Sequence, residues 1–159
     1  MNSNRTGSTR SKNMTAIKSR DTQPEIIIRK ALHGVGYRYR LHMKTIAGTP
    51  DLVFTKLGAV LFVNGCFWHK HDCHLFQWPR SRKEFWKNKL LRNASNDANN
   101  KILLEKSWRI GIVWECALKG KLRIPIETIV GLLCNWLDNR GKYIEIRGTN
   151  REDFYKYSP

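Results

Sequence analysis

The amino-acid sequence predicts an α/β fold in which helices flank a central mixed β-sheet. The predicted elements follow the order helix, strand, hairpin, helix, strand, helix, which combines antiparallel with parallel pairing and puts helices on both faces. The segments 59–63 and 108–114 are almost wholly apolar, as strands covered on both faces are. A chain of 159 residues most simply forms one such domain, which we place at residues 21–140.

Residues 1–20 form a predicted basic N-terminal arm. Basic residues recur along it with no acidic residue before Asp21, and residues 11–19 can form a short helix. The arm is either a solvated tail or a segment that contacts phosphates and orders on binding. The candidate DNA contacts in it are Arg10, Lys12 and Arg20.

The first main helix begins at Thr22-Gln-Pro-Glu25. Thr22 is a typical capping residue, Pro24 suits the first turn, and Glu25 completes a capping box. Gly34 can end this helix. Taken alone, Glu25 is therefore interpreted as part of the cap.

Three strands follow. Residues 37–41 alternate strictly, and residues 50–54 and 59–63 form a hairpin of two apolar strands around Gly58. Asp51 opens the first strand of that hairpin, where a carboxylate destabilises a buried edge but suits a hard cation such as Mg²⁺. Asn64 follows the second strand.

Residues 83–106 are predicted to form a long helix, on which Asp97 alone would be a solvated charge. Residues 108–114 form a buried strand, and a further helix begins near Pro125. Residues 141–159 are a C-terminal tail with a possible strand at 143–146. The predicted buried stripe of the long helix repeats every four residues and contains Trp86, Leu90, Ala94, Ala98 and Ile102.

The segment 65–74 reads GCFWHKHDCH and predicts a zinc site. Cys66, His71 and Cys73 supply three of the four ligands of a closed tetrahedral site. Cys116 is the leading fourth ligand, because it follows a strand that can pair with 59–63; Cys134 competes but looks like a small core residue. A disulfide between Cys66 and Cys73 is disfavoured, since nothing in the chain suggests export.

Three side chains beside these ligands have open roles. Phe67 and Trp68 either cover the edge of a core or act in binding. His69 is a weak ligand, a surface residue or a group that points away from the metal.

The charge of the chain points to a polyanion as partner. Lys+Arg number 29 against 13 Asp+Glu, a formal net charge of +16, which favours nucleic acid. A membrane surface is disfavoured, because no clean basic amphipathic helix, membrane span or secretory segment is evident. We expect a cytoplasmic protein in which thiols stay reduced.

The sequence resembles the very-short-patch repair (Vsr-type) DNA mismatch endonucleases. The resemblance covers residues from about 9 to about 136. It is carried by Thr9-Arg-Ser-Lys-Asn-Met14, Pro50-Asp51, Gly65-Cys-Phe-Trp-His69, His71-x-Cys73, Phe85-Trp86 and Val113-Trp-Glu-Cys-Ala-Leu118.

This resemblance implies a restriction-endonuclease-like fold, with residues 21–140 as the catalytic domain. It implies Mg²⁺-dependent nicking of one strand, 5′ to the thymine of a T:G mismatch that arises by deamination of 5-methylcytosine. It also suggests a monomer associated with the nucleoid, and cooperation with mismatch-repair proteins and a cytosine methyltransferase.

The resemblance assigns roles to individual residues. Asp51 and the backbone carbonyl of Val63 would hold Mg²⁺. His69 would be the general base. Glu25 and Asp97 would lie near the catalytic centre. Structural zinc would be held by Cys66, His71, Cys73 and Cys116, and the aromatics that enter the duplex would be Phe67, Trp68 and Trp86, with Met14 entering from the opposite groove.

One position departs from the family. Family members often carry Thr-His where this chain has Val63-Asn64. An asparagine cannot accept a proton at neutral pH, although it can hydrogen-bond a phosphate or water. Two alternatives therefore stay open: a zinc-stabilised DNA-binding module that does not cut, and a nuclease of the same fold with another DNA target.

Overall fold

A computed structural model describes residues 20–150 of the chain. Of the predicted arm, Arg20 is exposed at the start of this range, whereas Arg10, Lys12, Met14 and the short helix lie outside the described residues. The end of the predicted C-terminal tail, from residue 151, lies outside them as well.

The centre of the fold is a five-stranded mixed sheet with its strands in sequence order. The first two pairings are antiparallel and the last two are parallel. The strands are β1 (Arg40–Leu41), β2 (Leu52–Phe54), β3 (Ala59–Asn64), β4 (Arg109–Trp114) and β5 (Tyr143–Ile146). The predicted mixed sheet, its hairpin and the strand at 143–146 are thereby confirmed.

Helices cover both faces of this sheet. They are α1 (Gln23–Gly34), α2 (Lys83–Leu104), α3 (Glu115–Leu118) and α4 (Ile126–Asp138). On one face, α1 and α4 pack over Leu61 and Val113; on the other, Leu104 of α2 packs with Val60 and Ile110. Alternate residues of β3 and β4 thus serve two separate cores, as the two-residue period of a strand requires.

Gly111 shows how closely α4 approaches the sheet. A Cβ atom at this position would lie 2.9 Å from both the Trp136 ring and Leu61 Cδ1. The indole therefore rests directly on β4, and a larger residue at position 111 would push the helix away.

The buried stripe predicted for the long helix is only partly right. Leu90 is fully buried, but Ala98 is exposed and Ile102 is 60% exposed. A four-residue step overshoots a helical turn by roughly 40°, so a strict four-residue repeat leaves the buried face within a few steps. Leu104 closes the buried face instead, and the helix ends there rather than at Lys106.

Two smaller predictions are also corrected. The regular strand predicted at 37–41 is reduced to Arg40–Leu41, although Tyr37 and Tyr39 still point inward, with their rings edge-on to Phe54. Thr22 does not cap α1 through its side chain; Glu25 Oε2 accepts the backbone N–H of Asp21 at 3.0 Å. Within residues 20–150, no helix has the length and apolar character needed to span a bilayer.

Candidate active site

The parallel pairing of β3 with β4 brings the two halves of the cysteine and histidine cluster together. Asn64 is the partner of Trp114 in the register, and both strands end there. Cys66 and Cys116 each follow two residues later, and the Cys116 N–H donates to Cys66 Sγ at 3.3 Å. The strand ends therefore deliver both thiols to one point.

Three thiols and one imidazole meet at that point. The ligand atoms of Cys66, His71, Cys73 and Cys116 all lie within 4.8 Å of one another. His71 Nδ1 is 3.5 Å from Cys66 Sγ and 3.6 Å from Cys116 Sγ. Tetrahedral zinc with ordinary bond lengths requires S···N separations of about 3.5 Å. The group thus fits a metal such as zinc, with Nδ1 of His71 facing it.

The environment of the cluster favours a thiolate. The pKa of Cys116 is lowered to about 4 by the hydrogen bond from Cys66 and by His71, with a further N–H bond from Gly148 at 3.2 Å. The same contact with Cys116, together with burial, raises the pKa of Cys66. Metal binding displaces the thiol protons, so a low pKa at one cysteine assists it.

An aromatic stack supports the histidine of the cluster. The Trp114 indole lies on the His71 ring with centroids 3.8 Å apart and planes 5° apart. Its N–H donates to Glu145 Oε1 on β5 at 2.7 Å. The last strand therefore fixes the ring against which His71 packs.

Asp51 lies immediately before β2, beside the end of β3. Its Oδ2 accepts the Val63 N–H at 2.6 Å. Burial raises the pKa of Asp51 to about 7; the charge of Glu25 adds to this, whereas the Val63 N–H, Arg29 and His69 oppose it. A buried carboxylate whose pKa is raised in this way suits a divalent cation.

Glu25 is 2% exposed and belongs to a group that sequence reasoning missed. The Arg29 guanidinium donates to Glu25 Oε2 at 2.8 Å and pairs with Asp21 Oδ1 at 2.7 Å. His42 lies against the same guanidinium at 2.8 Å, with its other ring nitrogen 3.8 Å from Asp51 Oδ1. Glu25 and Arg29 are four residues apart on α1, a spacing that would have signalled this pair.

His69 faces a carboxylate on α2. Its Nδ1 is 2.5 Å from Asp97 Oδ2, and its ring is edge-on to Trp114 with centroids 6.2 Å apart. Asn93, also on α2, donates to the backbone oxygen of Trp68 at 3.0 Å. Helix α2 thus holds the loop that carries Trp68 and His69.

Phe67, Trp68 and Trp86 form one half-buried aromatic cluster. Their ring centroids are 5.2, 5.4 and 5.9 Å apart in the three pairs. The Lys89 ammonium lies 5.3 Å from the Trp68 ring centroid and 5.7 Å from that of Trp86. Large aromatic surface beside a cation is a common feature of surfaces that meet nucleic acid.

The structure brings most of the predicted site residues to one end of the sheet. Asn64 is half-buried at the end of β3, next to Val63 and two residues before Cys66. Cys134 is on α4, outside the ligand group, so Cys116 and not Cys134 completes the group; Cys134 is half-buried, which only partly agrees with its interpretation as a core residue. The sequence analysis did not single out His42 or Glu145, because the contacts of each depend on pairing between distant segments. Asp21 was also missed, although its partners Glu25 and Arg29 lie on the helix that follows it.

The comparisons with known proteins agree with this geometry. The sequence model of the family described as DNA mismatch endonuclease Vsr matches residues 4–75. The chain is 44% identical over 120 residues to the type II nicking enzyme V.XorIIP of Xanthomonas oryzae, covering 74% of this chain and 88% of the relative. It is 40% identical over 139 residues to the DNA mismatch endonuclease Vsr of Escherichia coli, covering 87% of this chain and 89% of the relative.

Fold, site and relatives together define the chain as an endonuclease. It belongs to the Vsr family of DNA mismatch endonucleases. The five-stranded mixed sheet with flanking helices is accordingly of the restriction-endonuclease-like type, and the cluster of three cysteines and one histidine is a site that can hold zinc.

Proposed function

We propose that this protein nicks one DNA strand 5′ to the thymine of a T:G mismatch by Mg²⁺-dependent phosphodiester hydrolysis. The observation that carries the proposal is that His69, which contacts Asp97, lies close enough to Asp51 for its charge to lower the pKa of that carboxyl, which burial raises. Phe67 and Trp68 lie on the same loop as His69, and Trp86 of α2 packs against both rings.

Asp51 and the Val63 carbonyl are the proposed Mg²⁺ ligands. The buried Asp51 carboxylate, with a raised pKa, is stabilised as an anion when a cation is present. Bound Mg²⁺ would stabilise charge on the phosphate and make a water more acidic. Glu25, held by Arg29 close to Asp51, adds negative charge that attracts the cation.

His69 is the proposed general base. Because Asp97 holds Nδ1 at 2.5 Å, that nitrogen carries a proton and Nε2 is left to accept one from the attacking water. The water oxygen bonds to phosphorus and its proton moves to Nε2. The bond to the leaving oxygen breaks, and that oxygen keeps the electron pair and takes a proton from solvent. The carboxylate stabilises the imidazolium that forms.

Asn64 takes the place of a second imidazole. It lies one residue from Val63, at the end of β3. Its amide can orient a phosphate oxygen or a water by hydrogen bonding, but it cannot take a proton. The base role in this chain therefore rests on His69 alone.

Phe67, Trp68 and Trp86 are the proposed wedge at the mismatch. A T:G pair stacks less well than a Watson–Crick pair, so inserting aromatic rings beside it costs less free energy. The excess of 29 Lys+Arg over 13 Asp+Glu supplies non-specific affinity for the backbone. We assign Arg10, Lys12 and Arg20 to phosphate contacts and Met14 to the opposite groove.

Zinc is proposed to be structural. Its four ligands come from the loop after β3 and from Cys116 after β4, so the metal ties His69 and the aromatic residues to the sheet. A zinc ion held by all four of these residues would have no open position for substrate. The remaining parts of the proposal are a monomer in the bacterial cytoplasm, associated with the nucleoid, acting with mismatch-repair proteins.

The deciding experiment is a nicking assay with Mg²⁺ on a duplex that contains one T:G pair. We expect a nick in the thymine strand, no cut in the fully paired duplex and no cut by Asp51→Asn. Equal cutting of both duplexes would indicate a nuclease of the same fold with another target. Tight binding without any cut would indicate a non-cleaving DNA-binding module, the outcome that Asn64 would explain.

A further inference from the structure

The Arg29 guanidinium occupies the centre of a group that would otherwise look like a cation site. Ligand atoms of Asp21, Glu25 and His42 lie within 4.8 Å of one another. Arg29 contacts all three, with Nη1 2.7 Å from Asp21 and Nη2 2.8 Å from both Glu25 and His42. The positive charge of this group therefore comes from the protein, and Arg29 partly offsets the negative charge of Glu25.

This contact fixes the proton on the His42 ring. A guanidinium has five N–H donors, no acceptor and a pKa too high to lose a proton in proteins. His42 Nε2 must therefore be the acceptor from Arg29 Nη2. A protonated ring would place two N–H groups against each other, so the neutral ring with its proton on Nδ1 is the form this geometry selects.

The remaining N–H of the ring faces the proposed Mg²⁺ ligand. His42 Nδ1 is 3.8 Å from Asp51 Oδ1, while the other oxygen, Oδ2, already accepts from Val63. A separation of 3.8 Å exceeds a hydrogen bond, but such contacts are often long in unliganded active sites and shorten in the complex. One oxygen of Asp51 is thus held by the sheet, and the other lies 3.8 Å from the His42 ring nitrogen.

The backbone at His42 maintains this orientation. His42 N–H donates to the Asp51 carbonyl at 3.5 Å, just beyond the last pair of the β1–β2 ladder. Its φ of 46° lies in the left-handed region, which is uncommon for a residue with a side chain. Such a conformation persists only when surrounding contacts impose it.

We propose that Arg29 and His42 act as a positioning pair for Asp51. Arg29 sets the His42 tautomer, and the His42 Nδ1–H orients Asp51 Oδ1 so that the carboxylate is aligned before Mg²⁺ binds. This proposal rests on the proposed function of Asp51 as an Mg²⁺ ligand. Outer contacts of this kind typically change metal affinity by about 10–100-fold when removed.

The test compares His42→Leu with His42→Asn, whose amide nitrogen takes the place of Nδ1, and with His33→Leu at an exposed position on α1. We expect His42→Leu to raise the Mg²⁺ concentration for half-maximal nicking about tenfold or more, with a smaller change at saturating Mg²⁺. His42→Asn should recover most of the loss, and His33→Leu should match the parent chain. An unchanged Mg²⁺ dependence in His42→Leu would overturn the proposal.

A second measurement does not depend on nicking. Nitrogen-15 NMR of labelled histidine rings should show His42 neutral, with the proton on Nδ1, and Arg29→Gln should lose this fixed form. A charged His42 ring, or the Nε2–H form, in the parent chain would overturn the proposal. If the parent chain fails to nick T:G duplex, the proposed function fails, whereas the ring measurement and Mg²⁺ calorimetry on the same variants still decide the role of the pair.

Discussion

His69 Nδ1 lies 2.5 Å from Oδ2 of Asp97, a contact that joins the loop after β3 to helix α2. The two residues are far apart in sequence and on different elements. Their contact leaves Nε2 as the ring nitrogen that can accept a proton, and in the proposed mechanism this nitrogen would face the attacking water.

His69→Ala should lower the single-turnover nicking rate by about 10²–10⁴-fold, because general base catalysis contributes that much. Asp97→Asn should cost less, since the imidazole remains but its orientation is lost. Asp72→Asn, at an exposed position of the same loop, is the matched control. A larger loss for Asp97→Asn than for His69→Ala would contradict the assignment.

Asp51→Asn should stabilise the protein in Mg²⁺-free buffer, and more at high pH than at low pH. Because burial raises the pKa of Asp51 from 3.8 to about 7, the folded state favours the protonated carboxyl. The protonated Asp51 carboxyl contributes up to about 4 kcal/mol to the free energy of unfolding. This contribution is fully present below pH ~4 and is lost as the pH rises through ~7. Urea unfolding of Asp51→Asn and of the parent chain at pH 5 and pH 8 measures this effect. If the two proteins differ in free energy of unfolding by the same amount at both pH values, the raised pKa is excluded.

Cys116→Ser should lower zinc content well below one ion per chain and should reduce stability sharply, because the loop after β3 loses its attachment to β4. Cys134→Ser, outside the ligand group, should keep both properties. Metal analysis by mass spectrometry and thermal unfolding would measure the two effects. Equal zinc in both variants would remove Cys116 from the site.

Gly148→Ala should destabilise the fold by about 1–3 kcal/mol, as overpacking of a tight site does. The added Cβ would overlap the backbone carbonyl of Cys116 and would come within 3.0 Å of the Leu122 oxygen. Gly131→Ala, on α4 with no atom near the new methyl group, should be neutral or stabilising. Thermal unfolding with zinc bound compares the stability of Gly148→Ala with that of Gly131→Ala. If the two variants are equally stable, the segment around residue 148 can move to accommodate the added methyl group.

Asn64→His should raise the nicking rate at neutral pH, because it returns a proton-accepting side chain to the position beside Val63. Single-turnover nicking across pH 5.5–8.5 would measure the gain and its pH dependence. Asn64→Gln, which keeps an amide, should not show it. A slower Asn64→His enzyme would mean that the amide makes a contact that the imidazole cannot replace.

Much of the fold could be predicted because local patterns decided it. The apolar strands at 59–63 and 108–114 are read directly from residue type, and their parallel pairing then places Cys116 opposite Cys66. Ile102 was misplaced because a four-residue repeat does not match the helical period over a long helix. The pattern of one segment can identify a helix, but it does not show which residues lie on the buried face along the whole length of that helix.

The parts of the site that escaped sequence reasoning depend on distant contacts. His42 follows a very short strand and acquires its partners only when β1 pairs with β2. Glu145 reaches Trp114 only because β5 pairs with β4. Neither residue has a neighbour in sequence that suggests chemistry, so only the assembled sheet shows them.

The position of β5 has a consequence for synthesis on the ribosome. Glu145 and Gly148, which brace Trp114 and Cys116, are made long after the loop that contains Cys66 and His71. A nascent chain can therefore bring its thiols together before β5 is made, but the contacts that support Trp114 and Cys116 form only after β5 has been made. A chain that stops before β5 would therefore contain all four residues of the zinc cluster but would lack the Glu145 and Gly148 contacts that support it.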